Sequence, residues 1–393
     1  MKRFRLCLIG VASGILLAAC GGGMLGTTQP SGIEKGTASQ WQPHPPGKRA
    51  CPKPSPDASQ CGVIILKTGV KPDVAGWGPS DLQAAYNLPS SSKGSGQIVA
   101  IVDAYDNPNV ALDLATYRSY FGLPPANFTK YNQQGQQGNY PPECYGNQGG
   151  WCVEIDLDVE MVSAACPNCT IYLIEANDDK NLGTAETEAV TLGAHIVSNS
   201  WTWGQVTESE FDAPGVVYLA AAGDMNYGSY APAEFPNVVS VGGTYLAKKG
   251  GRYREIVWPW TSGGCAYGAA KPSWQHDPSC TSRTQNDVAA VAYGVAEYDT
   301  YGSFSGWLTA GGTSIATPLV ASVFALAGNA SSQHAGKRFW TLTTRQRKKY
   351  LRTVDEGSDG SCGGSYLCTA GTGQYGTYSG PTGWGTPNGI GAF

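Results

Sequence analysis

The sequence predicts one α/β domain with a mostly parallel central sheet, helices on both faces and loops stapled by disulfides. Three observations predict it. Continuous apolar runs of strand length recur at residues 97–103, 170–174, 194–198, 216–222 and 238–242. A strand that is apolar on both sides is one whose two faces are both covered. Helical patterns, such as that over 110–120, lie between several of these runs, the alternation that crossover connections in a parallel sheet produce. The cysteines supply the staples. Of twelve, setting aside Cys7 and Cys20 leaves sequence-local pairs: Cys51 with Cys61, Cys144 with Cys152, Cys166 with Cys169, Cys265 with Cys280, and Cys362 with Cys368. Close pairs in even number suit an exported chain with disulfides. Cys166-Pro167-Asn168-Cys169 also has redox or metal spacing, but no second Cys-x-x-Cys or nearby histidine completes a zinc site.

In chain order, the first residues read Met1-Lys2-Arg3-Phe4-Arg5, then an apolar run to Ala19, then Cys20 and three glycines. A basic start followed by a short apolar run is an export signal, too short to span a membrane. Leu17-Ala18-Ala19-Cys20 resembles a bacterial lipobox. Residues 1–19 are therefore expected to be removed and Cys20 lipidated; the alternative is an ordinary secretory signal in which Cys20 is incidental. Residues 20–76 are rich in Pro, Gly, Ser and Gln, a composition with too little apolar surface to order itself, and read as a tether. Within it, Val63-Ile64-Ile65-Leu66 is long enough for one short strand docking on the domain. The domain itself is assigned to residues 77–393, with no internal repeat.

Chemistry is suggested at three places. Gly311-Gly312-Thr313-Ser314 precedes a small and apolar run with Pro318, which presents a serine hydroxyl at a helix start; an N-cap is the alternative reading. A nucleophilic serine needs a base. The four histidines, His44, His195, His276 and His334, lie in the tether, at a strand start, in a Trp- and Pro-rich loop and in a polar turn, and none is placed to serve Ser314. The stretch 152–162 reads as a helix on which Glu154 and Asp158 share a face. Two close carboxyls cannot both ionise cheaply, so one is raised and suited to act as a base in acid; acids stabilised by a helix N-terminus are the alternative. Asp224, in Ala222-Gly223-Asp224, follows a buried strand at the end where such sheets bind ligands. A protonated aspartic acid there donates to an oxyanion, whereas a turn aspartate is the plain reading.

Glu154-Ile155-Asp156-Leu157-Asp158, Gly223-Asp224 and Gly312-Thr313-Ser314 together resemble the sedolisin family, serine-carboxyl peptidases of subtilisin-like fold that use a glutamate in place of histidine. The segment from Phe235 to Thr244 is similar as well. The resemblance implies Ser314 as nucleophile, Glu154 as general base and then acid, Asp158 orienting Glu154, and Asp224 stabilising the oxyanion, in peptide-bond hydrolysis through an acyl-enzyme. Asp103 stands where subtilisins place an aspartate and is read as structural or as support for Glu154. The family's calcium loop is only partly matched: Thr382-Gly383-Trp384-Gly385-Thr386-Pro387 is present, but Ser379 replaces an acid. No metal or other cofactor is therefore expected, with Asp355 and Asp359 as loop residues and the Cys362–Cys368 disulfide as the staple; calcium on the incomplete pattern is the alternative.

The formal net charge is −4 and no long basic run exists, so nucleic acid is not an expected partner. The expected partner is a protein or peptide substrate, with the membrane engaged through the lipid alone, the chain a monomer, and the location the bacterial cell envelope or surface. Two other functions fit less of the sequence. One is a subtilisin-fold surface binding module without catalysis, although no catalytic residue is missing. The other is a carbohydrate-binding protein drawing on 11 Trp and 21 Tyr, whose aromatics show no repeat.

Overall fold

A computed structural model of the chain describes residues 47–68, 75–302, 304–330 and 335–393. The first half carries β1 (Lys48–Arg49), β2 (Ser59–Cys61), β3 (Ile64–Thr68), α1 (Pro79–Tyr86), β4 (Ile98–Ala104), α2 (Val110–Tyr120), β5 (Asn127–Asn132), α3 (Gly149–Ala165) and β6 (Thr170–Ala176). There follow α4 (Gly183–Thr191), β7 (Ile196–Asn199), β8 (Trp201–Trp203), β9 (Val217–Ala221), β10 (Val238–Lys249) and β11 (Arg252–Val257). Then come β12 (Gly264–Ala270), β13 (Ser282–Gln285), β14 (Val288–Val291), β15 (Tyr293–Asp299), β16 (Gly306–Gly311) and α5 (Thr313–Ala327).

The main sheet runs β11-β10-β9-β7-β4-β6-β5, with β14 also paired to β10. All neighbours are parallel except β11, which returns antiparallel beside β10. The apolar runs make these strands because both faces are covered: Val99 to Val102, Ile171, Leu173, Val197, Leu219 and Val239 are fully buried. From β4 the chain builds outward to β5 and β6, then crosses to β7, β9 and β10 on the other side. That reversal opens a crevice beyond the carboxyl ends of β4, β7 and β9. The architecture is the subtilisin-like one.

Two helices carry side chains to the crevice. In α3 all residues are buried, four of them acids. It is closed on every side because it packs on α5, α1, α2 and β15 as well as on the sheet. It ends at Cys166, before Pro167, which cannot continue a helix. In α5, Pro318 lies inside the helix and has no N–H for the Ser314 carbonyl. The Ser200 hydroxyl donates to that carbonyl instead, at 3.4 Å.

The stretch from 47 to 68 differs from the tether that its composition suggested. β1 pairs with β3, β2 with β8, and β3 with β16, all antiparallel. Val63 and Ile64 are fully buried. Its proline-rich turns leave β2 and β3 free to pair, and strand addition draws on backbone hydrogen bonds that composition does not reveal. Cys20, the leader, His44 and His334 lie outside the described residues. All five local cysteine pairs are bonded, with Cα separations of 5.4–5.9 Å.

Candidate active site

Ser314 lies on the first turn of α5, behind a glycine that only glycine readily replaces. Gly312 has φ 132°, and a β-carbon there would stand 2.7 Å from the Gly62 carbonyl oxygen and 3.1 Å from Asp224 Oδ2. The Ser314 hydroxyl is fully buried and donates to the Ser200 carbonyl at 3.2 Å. Ser200 is the residue linking β7 to β8.

Glu154, one turn into α3, brings its carboxyl to the same point from the other side. Its Oε2 accepts the Val63 amide at 2.9 Å, while its Oε1 is buried and has no partner among the described residues. An acceptor is therefore free within the cleft for the serine proton. Burial holds the Glu154 carboxyl well above the ordinary carboxylate range and Asp103 adds to that, whereas the Ser314 side chain and the Val63 amide pull the other way. Asp158 follows a turn later, also fully buried, and is raised by burial first and then by Asp103 and Glu154. Asp103, at the end of β4, is lifted by burial from 3.8 to about 8. With three acids buried close together, the charge of one makes ionisation of the others costlier.

Asp224 follows β9. Thr313 donates to its Oδ1 twice, from the amide at 2.8 Å and the hydroxyl at 2.9 Å. Its Oδ2 is buried without a partner among the described residues and faces Gly62 and Gly312. Burial raises this carboxyl to about 6, opposed by Arg49 and the two Thr313 bonds. With Oδ1 committed as an acceptor, a proton on Asp224 resides on Oδ2, aimed into the cleft. The Arg49 guanidinium donates to the Asp224 carbonyl.

The structure thus brings Ser314, Glu154 and Asp224 together, with Asp158 one helical turn behind Glu154 and Asp103 adding to the same cluster. No histidine reaches them among the described residues: His195 is exposed and bonds the Gly215 carbonyl, and His276 is exposed on its loop. The residues that the sequence reading did not single out are Ser200, Arg49, Gly62 and Val63. The last three fell inside the presumed tether. A signal existed in Val63-Ile64-Ile65-Leu66, which marks a strand, but nothing local says that it leads out of the cleft.

Three side chains of the C-terminal loop bear on the incomplete calcium pattern. Ser379 Oγ lies 2.8 Å from Thr382 Oγ1. Asp355 is exposed and faces Arg254 at 3.7 Å, whereas Asp359 is buried with neither carboxyl oxygen partnered among the described residues. Calcium takes several oxygens, carboxylates among them, and of these three side chains Asp359 alone is a buried carboxylate.

The subtilase family model matches residues 144–385. Kumamolisin of Bacillus sp. (strain MN-32) is 31% identical over 292 residues, covering 63% of this chain and 51% of the relative. Sedolisin of Pseudomonas sp. (strain 101) is 25% identical over 361 residues, covering 79% and 60%. The chain spans about half to three fifths of the length of these curated relatives. The solved structure of Pseudomonas sedolisin, a serine-carboxyl proteinase complexed with two molecules of pseudo-iodotyrostatin, superposes with a TM-score of 0.67 at 24% identity. It covers 81% of this chain and 96% of that one, and the likeness is one of fold.

Proposed function

The chain belongs to the subtilase family and is similar to the sedolisins within that fold, and from this premise we propose that it is a serine-carboxyl endopeptidase working in acid. One observation carries the proposal: a buried serine hydroxyl has a raised carboxyl with a free acceptor on one side and a raised carboxyl with a free oxygen on the other. No imidazole is near among the described residues. In the first step the Ser314 hydroxyl turns from the Ser200 carbonyl to Glu154 Oε1 and gives up its proton as Oγ attacks the substrate carbonyl. The oxyanion develops against Asp224 Oδ2, which donates when protonated. Glu154 then passes the proton to the departing amine, and water, activated by the same carboxylate, frees the acyl-enzyme. Asp158 and Asp103 act as positioning residues: by competing for protons they decide how readily Glu154 is ionised.

The pH dependence follows. The cluster of Asp103, Glu154 and Asp158 need lose only one proton to provide the base, whereas Asp224 must keep its own. Its value of about 6 places the loss of the donor near mildly acid pH, so activity falls as pH rises through that range. The test is hydrolysis of an unfolded protein from about pH 3 to about pH 8, wild type against Ser314→Ala. An acid peak that vanishes in the variant supports the proposal. Equal inertness of two folded proteins at every pH overturns it.

The remaining parts of the reading concern place and partner. We propose that residues 1–19 direct export, that Cys20 carries the lipid that anchors a monomer at the bacterial envelope, and that the substrate is an unfolded protein or peptide. Lipid on Cys20 by mass spectrometry, and release of the Cys20→Ala protein from membranes, are the outcomes expected.

A further inference from the structure

We propose that Asp113, Asp156 and Asp299 bind one divalent cation of the calcium type, which clamps α2 and β15 to the helix that carries Glu154 and Asp158. The site is separate from the C-terminal loop, and the proposal stands apart from the peptidase reading.

Five acids gather where these elements pack. Asp156 and Glu160 lie one turn apart on α3, Glu297 and Asp299 share one face of β15, and Asp113 comes from the first turn of α2. Each of the three elements packs on the other two. None of the five side chains is more than 2% exposed. A buried carboxyl is ordinarily paired with a cation or saturated with donors. Among the described residues no Lys, Arg or His makes an ion pair with any of them. What holds them is neutral. The Thr300 amide donates to Asp113 Oδ2 at 2.9 Å and its hydroxyl to Oδ1 at 2.7 Å. The Asn107 side chain donates to Asp156 Oδ2 at 2.8 Å, and the Tyr301 amide to Asp299 Oδ1 at 2.8 Å.

Three of the five converge. Asp113, Asp156 and Asp299 each present an oxygen within 4.8 Å of those of the other two. A second observation points to a ligand: Asp156 Oδ1 and Asp299 Oδ2 are buried and receive no hydrogen bond from any described residue. Each of these acids thus has one oxygen fixed by a neutral donor and the other uncommitted, as when outer partners orient carboxylates on a metal. Burial and then Asp299 and Asp113 hold the Asp156 carboxyl well above its ordinary range, and burial lifts Asp299 to about 7. A cation among them removes that cost.

The donors select the class of ion. A set of carboxylates, with neither cysteine nor histidine, suits a hard cation. Calcium takes about six to eight oxygens at about 2.3–2.6 Å in flexible geometry, of which three carboxylates supply about three to six. Magnesium keeps several waters, for which side chains so deeply buried leave little room. Asn109 donates to the Thr300 hydroxyl, and both residues are half-buried, so the site lies one side chain beneath the surface.

The test uses the full chain carrying Ser314→Ala, which does not digest itself, stripped with a chelator and held at about pH 7, where protons compete little with metal. Calcium chloride or magnesium chloride is added, bound metal is counted by elemental analysis after dialysis, and the unfolding temperature is followed. Expected is one calcium per chain and a rise of about 4 °C at about a hundredfold excess over the dissociation constant, with a smaller response to magnesium. Asp156→Asn and Asp299→Asn should each lose both the ion and the rise. In chelator they should unfold no earlier than the parent, since an amide relieves repulsion among the acids. Asp359→Asn, in the C-terminal loop, should keep the ion. Anomalous density from a calcium-soaked crystal of the parent places the ion without relying on any variant. A parent that retains no calcium and shows no rise overturns the proposal, because the acids are then neutral and share protons. So does an ion that stays in the Asp156 and Asp299 variants, or one that the crystal places elsewhere.

Discussion

Asp103→Asn isolates the electrostatics of the buried acid cluster. Asp103 is fully buried, and neither carboxyl oxygen has a hydrogen-bond partner among the described residues. Burial lifts it from 3.8 to about 8, so the folded protein keeps the neutral acid while the unfolded chain ionises at the ordinary value. A carboxyl raised on folding contributes stability that is full below the unfolded pKa and is lost as pH rises through the folded one. Between about pH 4 and about pH 7 the loss accumulates at about 1.4 kcal/mol per pH unit, to an upper bound of about 4 kcal/mol because Glu154 and Asp158 share the protons. Asparagine removes that dependence but leaves amide donors unpaired, at about 1–3 kcal/mol whatever the pH. The diagnostic quantity is therefore the change with pH. Denaturant unfolding of the variant and its parent, both carrying Ser314→Ala to prevent self-digestion, is compared at acid and neutral pH. The variant should gain about 2–4 kcal/mol relative to its parent over that interval. A difference that stays flat with pH would refute the assignment of Asp103 as a buried neutral acid.

Asp224→Asn keeps an acceptor for Thr313 and a donor on the cleft side, so it should carry activity upward past the mildly acid pH at which Asp224 ionises. Asp224→Ala, which removes the donor, should cost about 10²–10³ in kcat; pH–rate profiles decide both. Gly312→Ala places a β-carbon 2.7 Å from the Gly62 carbonyl oxygen at a φ of 132°. A loss of about 1–3 kcal/mol in unfolding free energy is expected, with impaired turnover. Arg283 and Asp287 are fully buried and paired at 2.7 Å. Arg283→Met strands the carboxylate and should lower stability by about 3–5 kcal/mol, read by denaturant titration.

Much of the fold is legible in the sequence because the central strands are apolar on both sides, so β4, β6, β7, β9 and β10 stand out as uninterrupted runs. The helix α2 shows as plainly. Glu154 and Asp158 are legible as a pair through their spacing, and Asp224 and Ser314 through glycines that place them after a strand and before a helix. Other features depend on partners distant in sequence. Ser59–Cys61 reads as loop because its pairing with Trp201–Trp203 consists of backbone bonds across more than a hundred residues. Nothing near Gly62 reveals that its missing side chain matters to Ser314. The spacing of the α3 acids shows a shared face, but not that all four are buried, which follows from the helices and the strand that close around them.

The five disulfides join cysteines only 10, 8, 3, 15 and 6 positions apart. Short loops close quickly and at small entropic cost, so each cysteine meets its proper partner before distant ones compete. Oxidative folding then requires little reshuffling by an isomerase. Since each bridge constrains a short stretch, each removes little freedom from the unfolded chain. Mild reduction should loosen loops one at a time while the parallel sheet stays assembled, and oxidation of the five pairs becomes five separate local events in whatever order the segments arrive.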